Sequence, residues 1–353
     1  MTNKKNILVI GSGLAGSCLA HQLLRQGHHV TIIDKGENFA TSVAAGMVNP
    51  MVFRRMNKSW RLDEFLPQSI EFYQSLEKLL EIELIHTITI RRLFSSKQER
   101  ESWITKQELP EFENYLTALS EEDDQYSGAN NQFGSGRIKN AFWVDSQKFY
   151  QSHLAFFEKE GILLRESFSL GDFNPTQGLY KGEKFDQIVF CCGYLNKQLP
   201  FFETLPVEQT KGQTLTISSN EIAESESLNR KCFVLPIGNH KFRIGSTYEW
   251  QNESLDVTEE GRQTLLENLG VIGNFKIGIL TQNAGIRPTV LDRRPIIGQH
   301  PEFPKLFIFN GLGTKGYLMA PTLSLELTYF MSGSATLNSD ISLERFNKPK
   351  RSV

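Results

Sequence analysis

The first 34 residues combine short apolar segments with one longer segment of helical periodicity. Residues 6–10 are mostly apolar and run directly into glycine, which predicts a short buried strand. Residues 14–26 carry apolar side chains at helical spacing and end at Gly27, and residues 29–34 return to a β-branched apolar run. The pattern therefore predicts a strand–helix–strand unit, in which the apolar helix face is formed by Leu14, Ala15, Leu19, Ala20, Leu23 and Leu24.

The regular alternation ends after residue 34. Residues 62–81 predict a helix that begins near Pro67, and residues 97–120 predict shorter helical pieces. The segment from 121 to 136 is rich in acidic residues, glycine and asparagine, which predicts a loop or a hairpin tip. These segments interrupt the alternating strand–helix order that a simple nucleotide-binding domain would continue.

Alternating elements return in the second half of the chain. Asp145 is placed to cap the start of a helix, and an apolar strand ends at the adjacent Cys191 and Cys192. Residues 205–285 have mostly strand character, with one amphipathic helix near 258–269. A strand, a glycine turn and a helix to about residue 331 follow.

Charge and composition restrict the class of protein. The chain has 353 residues, and its 38 basic and 40 acidic side chains give a formal charge of −2. Because there is no basic excess, we expect no nucleic-acid partner. No apolar run approaches the roughly 20 residues of a membrane span, and the start lacks the form of a signal peptide, so the predicted location is cytoplasmic.

The four cysteines lack the spacing of metal ligands, and we predict no metal site. The adjacent Cys191 and Cys192 end an apolar segment, and we interpret them as buried thiols and not as a redox pair.

The first glycine turn has the spacing of a dinucleotide-binding motif. Gly11 permits the tight turn, Gly13 lets the backbone approach a pyrophosphate, and Gly16 lets helix and strand pack closely. Asp34 ends the second strand, where a carboxylate binds ribose hydroxyls and disfavours the 2′-phosphate of NADP. The turn predicts nucleotide binding but leaves NAD and FAD open.

Four further motifs decide between these cofactors by resemblance. They are "TSVAAGMVNP" at 41–50, "VFCCGY" at 189–194, "GIRPTVLDRRPIIG" at 285–298 and "NGLGTKGYLMAP" at 310–321. Together with the first turn, they resemble the family of D-amino-acid oxidase, glycine oxidase and sarcosine oxidase, which are FAD flavoproteins. The resemblance covers about a third of the chain.

The resemblance implies an α/β fold with a discontinuous, Rossmann-like FAD-binding domain on a parallel sheet. An inserted α+β substrate domain would carry a mostly antiparallel sheet. The predicted FAD-binding domain comprises residues 1–52, 141–204 and 286–353, and the predicted substrate domain comprises residues 53–140 and 205–285.

The second glycine turn is interpreted as a flavin contact. Gly311, Gly313 and Gly316 permit close backbone approach, and the helix start that follows favours the negative charge of reduced flavin. Lys315 would add a positive charge, or it is simply a solvated lysine. Pro321 implies either a kink or a helix that begins there.

Two residues are predicted to serve the substrate. Arg287 occupies the place of the family's arginine that holds the substrate carboxylate, a task suited to its planar fork of N–H groups. The alternative is a structural arginine that pairs with Asp292 or caps a loop. Tyr248 resembles an aromatic residue that faces the flavin, or it is an ordinary residue of the sheet.

The remaining predicted FAD contacts lie beside these motifs. No cysteine lies just before the second glycine turn, where some sarcosine oxidases attach flavin, so the predicted FAD is noncovalent. The predicted contacts are Ser12, Leu14, Ala15, Lys35, Thr41, Ser42, Ala45, Gly46, Met47, Phe168, Cys192, Gly193, Leu312, Thr314 and Tyr317, besides Arg287, Lys315, Asp34 and the glycines of the two turns.

The resemblance implies an FAD-dependent oxidoreductase that acts on a small-molecule amine or amino acid. Hydride transfer to flavin N5 would give an imine, and reoxidation by oxygen would release peroxide. Three alternatives stay open: a dehydrogenase with another electron acceptor, an enzyme that modifies the wobble uridine of tRNA, and a nucleotide-binding module without activity. The substrate and the oligomeric state are not determined by the sequence.

Overall fold

The computed structural model describes residues 4–37, 39–250 and 252–346. Within these residues the α-helices are α1 (Leu14–Arg25), α2 (Phe39–Val43), α3 (Leu62–Leu80), α4 (Lys97–Gln107), α5 (Glu121–Asp124), α6 (Ser146–Lys159), α7 (Glu259–Ile272) and α8 (Gly316–Met331).

The strands are β1 (Asn6–Ile10), β2 (His29–Ile33), β3 (Met47–Val48), β4 (Met51–Val52), β5 (Asn57–Lys58), β6 (Ile85–Leu93), β7 (Ser135–Val144), β8 (Leu163–Leu164), β9 (Phe173–Asn174), β10 (Leu179–Tyr180), β11 (Glu183–Lys184), β12 (Gln187–Phe190), β13 (Val207–Ser218), β14 (Glu226–Asn229), β15 (Phe233–Pro236), β16 (Lys241–Gly245), β17 (Glu249–Trp250), β18 (Gly278–Val290), β19 (Ile296–Gln299) and β20 (Leu306–Asn310).

A six-stranded sheet brings together the start, the middle and the end of the chain. Its strand order is β19-β20-β12-β1-β2-β8, and every pairing is parallel except that of β19 with β20. Ile7, Leu8 and Val9 of β1 are wholly buried. Strands covered on both faces need continuous apolar runs, which explains the uninterrupted pattern of residues 6–10.

A nine-stranded sheet collects the inserted segments. Its order is β17-β13-β16-β15-β14-β6-β7-β3, and β18 pairs with β13 along nearly its whole length. All pairings are antiparallel except that of β14 with β6. The predicted fold class, a parallel sheet combined with a mostly antiparallel one, is confirmed. The assignment of domains stays a prediction, and two of its boundaries fall inside β7 and β18.

Most of the predicted elements are present close to their expected limits. The strand–helix–strand unit is β1, α1 and β2, and Asp145 caps α6 by accepting a hydrogen bond from the Lys148 N–H at 3.0 Å. The helix predicted near 258–269 is α7, whose start is capped by Thr258.

Three predictions about local structure need correction. Helix α3 begins at Leu62 and contains Pro67 in its second turn, so the proline does not start it. The acidic segment predicted as a loop or a hairpin tip contains the short helix α5, because Ser120 and Asp123 form a reciprocal capping box. Helix α8 begins at Gly316 and runs through Pro321, so the helix does not begin at the proline, and a kink at that position stays a prediction.

No helix of the described ranges is long and apolar enough to cross a membrane.

Candidate active site

A cavity of about 360 Å³ lies between the two sheets. One side is formed where β12 and β20 end, at Cys191 and Asn310, and by the starts of α1 and α8. The other side is the face of the large sheet that carries Thr214 and Arg287. Ligands of open α/β sheets bind outside the carboxyl ends of parallel strands, and this cavity has that position.

The first glycine turn fits closely against its neighbours. Gly11 has a φ of +98°, and a Cβ there would lie 2.7 Å from the Cys191 carbonyl oxygen. A Cβ on Gly16 would lie 1.8 Å from the Gly11 carbonyl oxygen. These two glycines are therefore required by the backbone itself, apart from any ligand.

The start of α1 faces the cavity without a capping side chain of its own. Gly13, Leu14 and Ala15 line the cavity, and Gly13 is the N-cap. The Leu14 N–H donates to Thr41 Oγ1 at 3.0 Å, and Thr41 belongs to the segment of residues 40–47, which forms the next part of the cavity wall. The helix start thus leaves N–H groups and a positive dipole end for an anionic ligand.

Asp34 holds the first turn from the end of β2. Its carboxylate accepts hydrogen bonds from the N–H groups of Ser12 at 2.6 Å and Gly36 at 2.7 Å, and from the Tyr150 hydroxyl at 3.4 Å. Burial and the Asp34 charge both raise the pKa of Tyr150. The sequence analysis missed Tyr150, because its position on α6 carries no local signal for this contact.

Residues 40–47 form the next part of the wall. Gly46 has a φ of +70°, and a Cβ there would lie 1.8 Å from the Val144 carbonyl oxygen. Arg243 of β16 donates to the Ala44 carbonyl at 2.8 Å, and burial lowers the pKa of its guanidinium. Of the predicted contacts in this segment, Thr41, Ala45, Gly46 and Met47 line the cavity.

The second glycine turn and the start of α8 complete this side. Gly311 and Gly313 have φ values of +75° and +56°, and no side chain caps the helix. Of the predicted contacts near this turn, Leu312, Gly313, Thr314, Lys315, Gly316 and Tyr317 line the cavity, as does Gly193.

Lys315 is not the solvated lysine of the alternative interpretation. Its ammonium donates to the Asn49 carbonyl at 2.8 Å and to Ser59 Oγ at 2.6 Å. Burial lowers the pKa of Lys315 to about 8. The side chain therefore places a weakly compensated positive charge on the cavity wall.

Arg287 lies on the opposite wall, on β18. Its Nη2 donates to Ser246 Oγ at 2.7 Å, and its guanidinium carbon lies 5.3 Å from the centre of the Tyr248 ring. Burial lowers the pKa of Arg287. The alternative pairing with Asp292 is wrong, because the Asp292 carboxylate accepts from Arg345 at 3.0 Å.

Gly212 makes room for this arginine. A Cβ on Gly212 would lie 2.1 Å from Arg287 Nη2. The sequence analysis missed Gly212, although an isolated glycine within a strand pattern is a signal for close approach.

Several predicted site residues lie outside the cavity wall. Tyr248 is 42% exposed and contacts Arg287 and Trp250. Lys35 pairs with Glu37 at 2.5 Å, and Phe168 stacks on Tyr180 with 5.2 Å between ring centres. The predicted contacts that do not line the cavity are Gly11, Ser12, Gly16, Asp34, Lys35, Ser42, Phe168, Cys192 and Gly311, and Tyr248 joins them as a predicted substrate contact.

The sheet wall also carries residues that the sequence analysis missed. Thr214, Asn229, Phe233 and Ser246 line the cavity from four different segments. No sequence signal could have found them, since they become neighbours only through the strand order of the large sheet.

The residues present fit FAD. Gly193 and Gly313 both line the cavity, and a Cβ at either would meet no protein atom closer than 4.0 Å, so a side chain would extend into the space for a ligand. Two helix starts whose N-cap side chains make no capping bond face the same cavity, which suits the pyrophosphate of FAD at one and the negative charge of the reduced flavin ring at the other.

Comparison with known proteins agrees with this geometry. The family model described as DAO, FAD dependent oxidoreductase, matches residues 6–330. The glycine oxidase of Bacillus subtilis is 22% identical over 344 residues, which cover 89% of this chain and 89% of that protein. A bifunctional protein of tRNA 5-methylaminomethyl-2-thiouridine biosynthesis from Saccharophagus degradans is 24% identical, and the match covers 84% of this chain but 45% of that protein.

Among solved structures, the crystal structure of glycine oxidase from Geobacillus kaustophilus superimposes with a TM-score of 0.82 at 19% identity. It covers 97% of this chain and 99% of that chain, which shows a shared fold. The predicted family, cofactor and enzyme class are thereby confirmed, and the chain belongs to the DAO family of FAD-dependent oxidoreductases.

Proposed function

We propose that this chain oxidises the C–N bond of an amino acid or a small amine, with noncovalently bound FAD as the first electron acceptor. The observation that carries the proposal is Arg287, a desolvated guanidinium on the cavity wall with no carboxylate partner among the described residues. A buried charge without a counter-ion is costly. Arg287 is therefore prepared for an anionic ligand, and its planar fork matches a carboxylate.

The residues around Arg287 orient it. Ser246 accepts one N–H, the Tyr248 ring lies beside the guanidinium, and the absent side chain of Gly212 leaves its space free. These contacts hold the side chain while using few of its five N–H groups. The remaining donors are available to a substrate carboxylate.

FAD would supply the acceptor for the hydride that leaves the substrate α-carbon, and water would hydrolyse the resulting imine. Within the described residues, no Asp, Glu or His lines the cavity. This composition suits a substrate amine that reacts in its neutral form without a dedicated base. Lys315 and the start of α8 place positive charge on the wall opposite Arg287, where it would stabilise the negative charge of the reduced flavin.

Two alternatives differ in acceptor or substrate. A dehydrogenase that passes electrons to another carrier would use the same cavity. The tRNA-modification alternative is supported by the bifunctional relative, of which this chain spans less than half. The formal charge of −2 and the arginine on the cavity wall favour a small anionic substrate over RNA. The proposed cytoplasmic location rests on the sequence.

The test compares Arg287→Ala with Arg293→Ala, a matched loss of an exposed arginine six residues away. Peroxide release is measured over glycine, sarcosine, D-amino acids and cyclic imino acids, together with a dye-linked assay that detects electron transfer without oxygen. Truncation of a buried charged partner costs roughly 2–5 kcal/mol. The kcat/KM of Arg287→Ala for amino acids should fall by roughly 30- to several-thousand-fold, whereas Arg293→Ala should match the wild type.

Two further measurements separate a substrate contact from a structural role. Arg287→Lys should recover activity only in part, because lysine has no fork of N–H groups. Amines without a carboxylate should be poor substrates and should be little affected by Arg287→Ala. Normal turnover of amino acids by Arg287→Ala would show that the carboxylate is held elsewhere, and preference for an RNA-linked amine would favour the tRNA alternative.

A further inference from the structure

Asn229 lies on the cavity wall in a fixed orientation. Its Oδ1 accepts a hydrogen bond from Arg92 Nη1 at 2.8 Å. Arginine can only donate, so the amide oxygen must face Arg92 and the amide nitrogen must face away from it. The Asn229 NH₂ group donates to no other group in the described part of the chain, and the residue lines the cavity.

Arg92 is itself held firmly. It is 7% exposed, and it donates to Glu99 Oε1 at 2.7 Å and to the Arg230 carbonyl at 2.8 Å. Its guanidinium carbon lies 4.6 Å from the centre of the Phe53 ring. Glu99 balances the charge of Arg92. The Asn229 NH₂ group therefore faces the cavity as a neutral hydrogen-bond donor with a defined direction.

Asn229 and Arg287 lie far apart on the same wall. Asn229 pairs with Phe233 on β15, Phe233 pairs with Gly245 on β16, and Gly245 pairs with Thr214 on β13. The Arg287 guanidinium lies over Gly212 of β13. Three strand spacings separate β14 from β13, or about 14 Å, and Gly212 lies two residues from Thr214, or about 7 Å along β13. The two positions are therefore roughly 16 Å apart, and two hydrogen bonds of about 2.9 Å leave up to roughly 10 Å for the body of a ligand.

We propose that Asn229 is a specificity-determining substrate contact that donates a hydrogen bond to an oxygen acceptor at the far end of the substrate. The proposal rests on the proposed function, in which Arg287 holds the substrate carboxylate. The acceptor is a carboxylate or an amide carbonyl within roughly 10 Å of that carboxylate. The preferred substrate is thus an amino acid or an N-substituted amino acid longer than glycine or sarcosine, with oxygen at both ends.

The first experiment measures binding to the FAD-loaded protein and needs no turnover. The dissociation constants of glutarate, adipate and pimelate are determined from the change in flavin absorbance, with hexanoate as the ligand that lacks the second acceptor. A hydrogen bond to a charged group corresponds to about a 10- to 100-fold change in affinity. The wild type should prefer the best-fitting dicarboxylate by this factor, and the monoamide of adipate shows whether a neutral carbonyl is accepted.

The variants are Asn229→Leu, which keeps the size but removes the donor, and Asn229→Asp, which replaces the donor by an acceptor beside Arg92. Both should abolish the preference for dicarboxylates, and hexanoate should bind with nearly unchanged affinity. Asn283→Leu is the matched control, since Asn283 is exposed and lies outside the cavity wall. Asn229→Asp keeps a partner for Arg92, so it remains informative if Asn229→Leu does not fold.

The second experiment compares kcat/KM for both enantiomers of 2-aminoadipate and norleucine. A preference for 2-aminoadipate that disappears in both Asn229 variants would support the proposal. Equal binding of dicarboxylates and hexanoate by the wild type would overturn it, even if short amino acids are oxidised. A preference in binding that depends on Asn229, without turnover of any amine, would support the Asn229 contact and overturn the proposed function.

Discussion

The side chains of this site are set by contacts that cross the whole chain. Lys315 illustrates the point, since its ammonium contacts Asn49 and Ser59, more than 250 residues earlier. Its hydrogen-bond acceptors are neutral oxygens, and burial therefore lowers its pKa to about 8. The positive charge of this wall is consequently sensitive to mildly alkaline pH.

We predict that this charge controls the binding of anions to the cavity. Lysine loses its proton as the pH rises through its pKa, so the affinity of the FAD-loaded protein for a carboxylate ligand should fall between pH 7 and pH 9. Arg287 keeps its charge over this range. In Lys315→Met the affinity at pH 7 should be lower and its dependence on pH over this interval should largely disappear. Ligand titrations at several pH values measure both, and parallel curves for the two proteins would contradict the prediction.

At the scale of elements, Pro321 shows how α8 tolerates a proline in its second turn. Proline has no N–H, so the carbonyl of Tyr317 lacks its helical donor. The Tyr73 hydroxyl of α3 donates to that carbonyl at 2.8 Å, and both residues are buried. A contact between two helices therefore replaces the missing bond within one helix.

We predict that Tyr73→Phe lowers the free energy of unfolding by about 1–3 kcal/mol, the cost of an unsatisfied buried polar group. In a Pro321→Ala background the new N–H can satisfy the Tyr317 carbonyl, so the same substitution should cost much less. Chemical denaturation of the four proteins of this cycle measures the coupling. Equal costs in both backgrounds would mean that the hydroxyl does not replace the helical donor.

Comparison of the predicted elements with the observed ones shows which elements a sequence can predict. The strand of residues 6–10 and the helix capped by Asp145 follow from local periodicity and local hydrogen bonds, and both are present. The limits of α8 do not follow, because the carbonyl that Pro321 leaves without a helical donor is satisfied by a distant side chain. Tyr73 lies 244 residues before Tyr317, and no local pattern connects them.

At the scale of the whole molecule, the cavity joins the two glycine turns to the large sheet. The turns were predicted as cofactor contacts because glycine spacing is a local signal. Thr214, Asn229 and Phe233 were not predicted, because the order of strands in the large sheet does not follow the order of the sequence. Sequence patterns thus indicated the side of the cavity formed by the glycine turns and missed most of the side formed by the large sheet.

A ligand held by segments so distant in sequence should stabilise the whole fold. A ligand that binds only the folded state at 100 times its Kd adds about 2.7 kcal/mol. We therefore predict that excess FAD raises the thermal midpoint of the apoprotein, whereas riboflavin, which lacks the pyrophosphate, raises it much less. Acid precipitation of the loaded protein should release the flavin, as expected for noncovalent attachment. An equal shift by riboflavin would show that the start of α1 does not hold the pyrophosphate.

The position of the two turns also has a consequence for biosynthesis. Gly311 follows Gly11 by 300 residues, which a ribosome translates in about 15 to 60 seconds. For more than half of that interval β1 has only β2 beside it, because β12, which pairs with its other edge, begins at Gln187, and β20 is made last, at Leu306–Asn310. An unpaired apolar strand edge is prone to aggregation. We therefore expect the nascent chain to depend on chaperones, and FAD to enter after the second turn has been synthesised.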